Sequence, residues 1–443
     1  MNGSIRFLVA ALALCVTLAP TTTLAQDVAI HGFASQGYLR SSDNNFLGGN
    51  TADGSAEYQE FAFNISSNIE DNLRVGVQFF ARDLGPLGNN EIELDWAFGD
   101  YRWQDELGFR VGRFKMPYGF YNETADFDAA RTAILMPTGV YDQRFRDLLV
   151  AVNGIQTYGR VNVIPGMSGG LDYTAFYGTT GMPADGSVDR TFDAEYNSLP
   201  NPAMGGLSTG TNLQSASVNS VAGGSLQWET PLEGLRLGGS IVNYDVEFNF
   251  AFNDPMLSGL YQAFGGPSTL NFSTQNTNFS VFGAEYTWGD FVFAAERSIW
   301  KGTFNSNAPS IVAQVDANLL DSNVPPGMAT VDIPLEIGSD KVNYSSWYTQ
   351  GSYRVNDWFE VGSYYSIYYS NGDRTKDSPN DYQQDISIST RFDISYAMTF
   401  KLEAHFIEGY GQILSDLNPT LMSDRSELSD SWTMFAAKTS FVF

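Results

Sequence analysis

The sequence predicts an all-β chain, an antiparallel transmembrane β-barrel of about sixteen strands with long external loops. Three observations predict it. The chain alternates to its last residue: Phe443, Phe441, Thr439, Ala437 and Phe435 fall on one side, and Val442, Ser440, Lys438, Ala436 and Met434 on the other. The first residues have the build of an export leader. Between the two ends, strand-sized alternating segments come in pairs, each pair joined by a short turn and separated from the next by a long polar loop.

The leader comes first. Arg6 opens a short positive region, and Phe7 to Leu18 is an apolar core too short to span a bilayer. Pro20, three threonines and Leu24-Ala25 follow, so the expected cut precedes Gln26. This divides the chain into a leader over 1–25 and a single barrel domain over 26–443. No other stretch is continuously apolar over the length that a helical span needs. The single cysteine, Cys15, lies inside the leader, and Leu14 before it is not the small residue that lipidation wants. The exported chain would carry no thiol, which removes disulfides and thiolate metal sites.

The strands follow in order. Phe61, Phe63 and Ile65 oppose Glu60, Ala62, Asn64 and Ser66, and the tight turn Glu70-Asp71-Asn72 leads into Leu73 to Arg82, where Arg74, Gln78 and Arg82 share a side. Ile92, Leu94, Trp96 and Phe98 are expected on an oily face opposite Glu93, Asp95, Ala97 and Gly99. Gln104-Asp105-Glu106 turns into Leu107, Phe109 and Val111. Further turns fall at Pro165–Gly169, Pro231–Gly234, Gly289-Asp290, Asn356-Asp357 and Ile394–Ala397. Late in the chain, Phe359 to Tyr369 and Met398 to Phe406 alternate, the latter with Thr399, Lys401, Glu403 and His405 on one face. Seven short turns imply sixteen strands with both chain ends on the short-turn side. Val218 to Trp228 and Phe291 to Trp300 alternate poorly, and Arg297 falls on what should be the oily side. Long connections are expected at about 40–56, 83–90, 115–153, 180–215, 248–274, 302–342, 370–380 and 410–431.

Composition agrees. Aromatics make up 14% of residues and charged residues only 17%, which suits interfacial girdles around an apolar band. A net charge of −26 argues against nucleic acid as a partner. If the oily faces meet lipid, the alternate faces line a lumen. That set holds Arg74, Arg82, Arg110, Arg160, Arg236, Arg354, Arg391, Lys401 and Lys438 beside Glu60, Glu93, Asp95, Asp172, Glu360, Asp385 and Glu403. Unpaired ions are costly in a dry core, so a water-filled lumen is expected.

Two resemblances sharpen the reading. The terminal Phe443 on a half-apolar strand resembles the C-terminal signature of Gram-negative outer-membrane barrels. Gly112, Lys115, Pro117, Gly119 and Glu123 resemble the phosphate-selective porin O and P type. This implies a third loop that narrows the lumen, a homotrimer, contact with outer-membrane lipid and lipopolysaccharide, and passive diffusion of small hydrophilic solutes. The chain departs from the phosphate-selective pattern in having few lysines and no dense basic cluster.

The expected constriction set is Lys115, Glu123, Asp128, Arg131, Arg144 and Arg146 from the loop with Arg74, Arg82, Arg110 and Arg160 from the wall, giving a mild anion preference. A plainer role for Arg131, Arg144 and Arg146 is to pair with Asp126, Asp128, Asp142 and Asp147 and fold the loop. No enzyme, metal or cofactor is expected. His31 and His405 are the only histidines, and His405, beside Glu403 and across from Ser387 and Ser389, is expected as a solvated lumen residue. The alternatives are an outer-membrane hydrolase, for which that histidine would be the base, and a secreted β-rich binding protein.

Overall fold

The computed structural model describes residues 28–443 except 86–87, 89, 163–168, 183–185, 189–190, 192–210, 253–258, 260–261, 264–266, 307–310, 317–329, 336–339, 415–416 and 419–427. The leader at 1–25 and part of the Pro165–Gly169 turn lie outside the described residues.

Among the described residues there are eighteen strands: β1 (Val28–Ser41), β2 (Gln59–Glu70), β3 (Leu73–Asp83), β4 (Glu93–Gln104), β5 (Leu107–Lys115), β6 (Ala151–Val161), β7 (Gly170–Thr179), β8 (Thr211–Glu229), β9 (Leu235–Phe252), β10 (Thr269–Trp288), β11 (Phe291–Ser306), β12 (Ile311–Asp316), β13 (Thr330–Leu335), β14 (Asp340–Asn356), β15 (Phe359–Tyr369), β16 (Tyr382–Ser395), β17 (Met398–Gly409) and β18 (Ser431–Val442). Sixteen of them form one closed barrel in which every neighbour is antiparallel, and β12 and β13 form a separate hairpin inside the long connection expected at 302–342.

The barrel closes where β1 meets β18, from Phe33 opposite Val442 to Ser41 opposite Met434. The terminal residue continues the seam: the Phe443 N–H donates to the Gly32 carbonyl and the Gly32 N–H donates to that of Phe443, both at 3.0 Å. A Cβ on Gly32 would lie 2.4 Å from the Phe443 ring, so this position must stay bare. Short turns join the strands at the end where both termini lie. Gly234 closes one of them at φ +82, and a side chain there would meet the Thr287 carbonyl.

The faces follow the expected alternation over most of the wall. On β18, Phe435 and Phe441 are exposed, while Met434, Ala436, Lys438 and Ser440 are buried. Outward aromatics gather toward the short turns, among them Trp288, Phe291, Phe293 and Trp358.

The structure corrects three expectations. Trp96 and Phe98 are not on the oily face. A bulge on β4 sets Trp96 opposite Gln78 but Leu94 opposite Phe79, so Asp95 is an extra residue and the parity flips beyond it. Phe98 then faces inward, with the Arg110 guanidinium 4.4 Å from its ring centroid. Secondly, the inner wall is not uniformly polar. On the far half of β9, Val242, Tyr244, Val246, Phe248 and Phe250 are buried inward, while Asn243 and Asp245 are exposed outward. Thirdly, Lys401, Glu403, His405 and Lys438 are not hydrated. Each is at most 1% exposed, because the third loop covers them and supplies or shares their partners.

Candidate functional site: the in-folded third loop

The connection between β5 and β6 folds into the barrel, and its sequence divides into an apolar side and a polar side. Tyr118, Val140, Tyr141, Phe145, Leu148 and Leu149 join the inward side chains of β9 to β11 and β14 in one buried cluster. Phe145 packs edge-on to Trp300 at 4.4 Å, and Phe279 stacks on Trp300 at 4.3 Å. The Tyr244 hydroxyl donates to the Leu148 carbonyl at 2.5 Å. Glu296, buried on β11, accepts the Phe120 N–H at 2.8 Å, the Tyr348 hydroxyl at 2.6 Å and the Tyr141 hydroxyl.

The opposite side is held through its backbone. The Lys401 ammonium donates to the carbonyls of Asp128 and Arg131 at 2.7 Å and of Ala133 at 3.3 Å, and lies 3.2 Å from the Asp128 carboxylate. Arg391 donates to the Ala129 carbonyl at 2.7 Å. The Glu403 carboxylate accepts the N–H groups of Ile134 and Leu135 at 2.6 and 3.0 Å and the Ser389 hydroxyl at 2.7 Å. His405 sits behind it, with Nε2 2.8 Å from Glu403 and Nδ1 3.0 Å from Asp385. It is therefore a buried link in the loop mount rather than a solvated residue. Ser387 bonds Ser389, which is turned toward Glu403, so neither hydroxyl is set up for activation by His405.

The expected constriction residues fall into three groups. Within the loop, Arg144 pairs with Asp142 at 2.7 Å, Arg146 with Asp126 at 2.7 Å, and Arg131 lies 3.6 Å from Asp128. Lys115 bridges Asp95, at 2.5 Å, and Asp126. Asp128 is 2% exposed and also meets Ser440 at 2.6 Å and Lys438 at 3.6 Å. On the wall, Arg110 pairs with Asp100 at 3.0 Å and Arg160 with Asp172 at 3.1 Å, while Arg82 donates to Gln143 of the loop at 2.7 Å. Arg74 and Glu123 are exposed. Between loop and wall lies a cavity of about 250 Å³, lined by Tyr121, Arg131, Thr132, Glu285, Glu360 and Arg391 among others.

Sequence reasoning placed Lys401, Glu403 and Arg391 on the inner wall but missed their grip on the loop, and missed Glu296 altogether. The available signal was the crowding of inward charges on three consecutive late strands.

The loop carboxylates are strongly tuned. Burial alone would raise Asp126, but Arg146 and Lys115 outweigh it and hold the group well below the usual aspartate range. Burial likewise opposes, and Lys438, Lys401 and Arg131 override, at Asp128. A carboxyl depressed in the folded state adds stability that is present above its ordinary value of 3.8 and lost only as pH falls through the lower folded value. The Asp126 and Asp128 pairs should therefore hold at pH 4. Protease cleavage within residues 126–131 is expected to be the same at pH 7 and pH 4. Release of that segment at pH 5 would contradict this assignment.

No protein-family model matches the sequence, and no curated protein matches it. Solved structures do. An anion-selective porin from Comamonas acidovorans superposes with a TM-score of 0.52 at 12% identity, over 94% of this chain and 100% of that one. Outer-membrane expressed OmpT of Vibrio cholerae gives 0.50 at 10%, over 96% and 100%. OmpF of Salmonella typhi, in complex with daunomycin, gives 0.50 at 10%, over 94% and 98%. The chain has the sixteen-stranded fold of Gram-negative outer-membrane porins. The finer likeness to the phosphate-selective type rests on Gly112, Lys115, Pro117, Gly119 and Glu123 alone.

Proposed function

From that fold, we propose that the protein is an exported outer-membrane porin, a homotrimer that passes small hydrophilic solutes by passive diffusion, with the third loop as its constriction. The observation that carries the proposal is the wet, ion-paired wall on the short-turn side of the loop. Arg160 and Asp172 form their pair with side chains 44% and 46% exposed. Arg236–Glu285 at 2.9 Å and Arg354–Asp393 at 2.6 Å continue the belt. Charges that stay solvated beside one another suit a lumen that polar solutes share with water. The outward apolar band supports placement in a membrane, and the way Ser389 is turned toward Glu403 supports a non-enzymatic role.

Pairing cancels most of the wall charge, so ion preference should be small. The expected sign is toward anions, because Arg74 is exposed and, among the described residues, its side chain bonds only neutral Ser66, at 3.3 Å. Planar-bilayer recording tests the whole reading: stable open channels are expected, and folded protein that conducts nothing would reject it. In a salt gradient, replacing Arg74 and Arg110 together by Gln removes the free charge and leaves Asp100 unpaired. The reversal potential should then move toward cations. A wild-type channel that already prefers cations, or an unmoved potential in the variant, would overturn the proposed sign.

A further inference from the structure

The cavity between the third loop and the wall combines a charge-balanced rim with unused polar atoms inside. Its floor lies on β11, β14 and β15, where Val292, Ser352 and Gly362 are neighbours in one row. Gln350, two residues before Ser352, lines it from the next inward row, opposite Tyr364. Small residues keep the floor low. A Cβ on Gly362 would come within 3.2 Å of the Thr132 side chain, so this glycine also lets the loop approach. Thr124 and Ala130 at the edge are exposed, so solutes can reach the cavity.

Among the described residues, each charged group lining the cavity has a counterion. Glu285 accepts from Arg236 at 2.9 Å and from the Tyr121 hydroxyl. Glu360 lies 3.5 Å from Arg354 and accepts the Thr132 hydroxyl. Arg391 pairs with Asp393 at 2.8 Å, and Arg131 lies 3.6 Å from Asp128. A charged solute would give up hydration here and meet no net opposite charge.

The uncharged groups are less committed. Gln350 donates its amide to the Tyr121 hydroxyl at 3.3 Å, and among the described residues its carbonyl oxygen accepts nothing. The Ser352 hydroxyl has no hydrogen-bond partner among them either. Met136, Pro137 and Val292 add apolar surface. A ring that carries hydroxyls, each able to donate and accept, and that also has apolar C–H faces matches this mix. The volume of about 250 Å³ lies just under the roughly 300–1,000 Å³ of sites for drug-sized ligands, so it admits one sugar-sized ring and not an oligomer.

We propose that this cavity binds an uncharged polyhydroxylated ring of monosaccharide size, held by Gln350 and Ser352 over the floor of Val292 and Gly362. The inference rests on the channel reading above and gives that channel a preferred class of solute.

The test is saturation-transfer NMR of the folded barrel in a detergent without a sugar headgroup, with D-glucose as the probe. Glucosaminium and glucuronate, the same ring with one charge of either sign, are the controls. Saturable transfer to glucose is expected, with each charged ring at least tenfold weaker. S352L fills the floor and should abolish the saturable signal. Q350L removes the free acceptor and should weaken binding about fivefold. T349V, at an exposed position on the outward side of β14, should leave it unchanged. Heat-modifiable gel mobility checks folding, and Q350L decides alone if S352L is not recovered.

A glucose signal that stays linear in concentration, or that is equal in S352L and the wild type, overturns the site. Equal or tighter binding of either charged ring overturns the solute class and gives the cavity to ions. Bilayer conductance of the same preparations keeps the two proposals apart: a conducting barrel without saturable glucose binding sinks only this one, and a silent barrel with the expected binding pattern sinks only the channel.

Discussion

Replacing Lys401 by methionine is expected to loosen the third loop and raise single-channel conductance. The ammonium is fully buried and serves three loop carbonyls and the Asp128 carboxylate at once. Methionine fills most of the volume and supplies none of those bonds. Breaking a buried ion pair by removing one partner costs about 3–5 kcal/mol, and the orphaned carbonyls add to it. Asp128 keeps Ser440 and the more distant Lys438, so the loop should detach on this side without unfolding the barrel. Higher conductance, noisier open states and protease cleavage between residues 128 and 135 are the expected readouts, with K401R as a partial rescue. If conductance and cleavage both match the wild type, Lys401 does not mount the loop.

Deleting Phe443 is expected to cut the amount of barrel inserted in the outer membrane roughly thirtyfold, since two backbone hydrogen bonds at about 1 kcal/mol each are lost from the seam. The deletion removes both bonds to Gly32 and uncovers that glycine. It also leaves the first and last strands less well paired, and an open edge is what a barrel must avoid in lipid. Export to the periplasm should continue, because the expected leader is untouched. Immunoblots of periplasmic and outer-membrane fractions decide the matter, and normal insertion of the shortened chain would remove the role given to this residue.

Most of the architecture could be read from the residues. The turns from Glu70-Asp71-Asn72 to Ile394–Ala397 gave the strand count, since two-residue alternation and tight turns are local properties. The face of Trp96 could not be read, because the bulge at Asp95 depends on how β3 pairs with β4. The inward apolar residues of β9 were hidden for a related reason. Alternation tells two faces apart but not which of them meets a loop 100 residues earlier in the chain. The mount on Lys401 and Glu403 is made with backbone carbonyls and N–H groups, which leave no trace in side-chain spelling. The three loop arginines take partners from the aspartates expected for them: Arg131 lies by Asp128, Arg144 pairs with Asp142 and Arg146 with Asp126.

The two sides of the third loop differ in what water can do for them. If the loop swung away from β16 to β18, water could take over each polar contact of Lys401, Glu403 and Arg391. If it swung away from β9 to β11, four large side chains, Tyr118, Phe145, Leu148 and Leu149, would lose their burial, at about 1.5–3 kcal/mol each and roughly 6–12 kcal/mol together. The loop is therefore a door with its hinge in grease and its latch in buried polar bonds, and it should open from the latch side first.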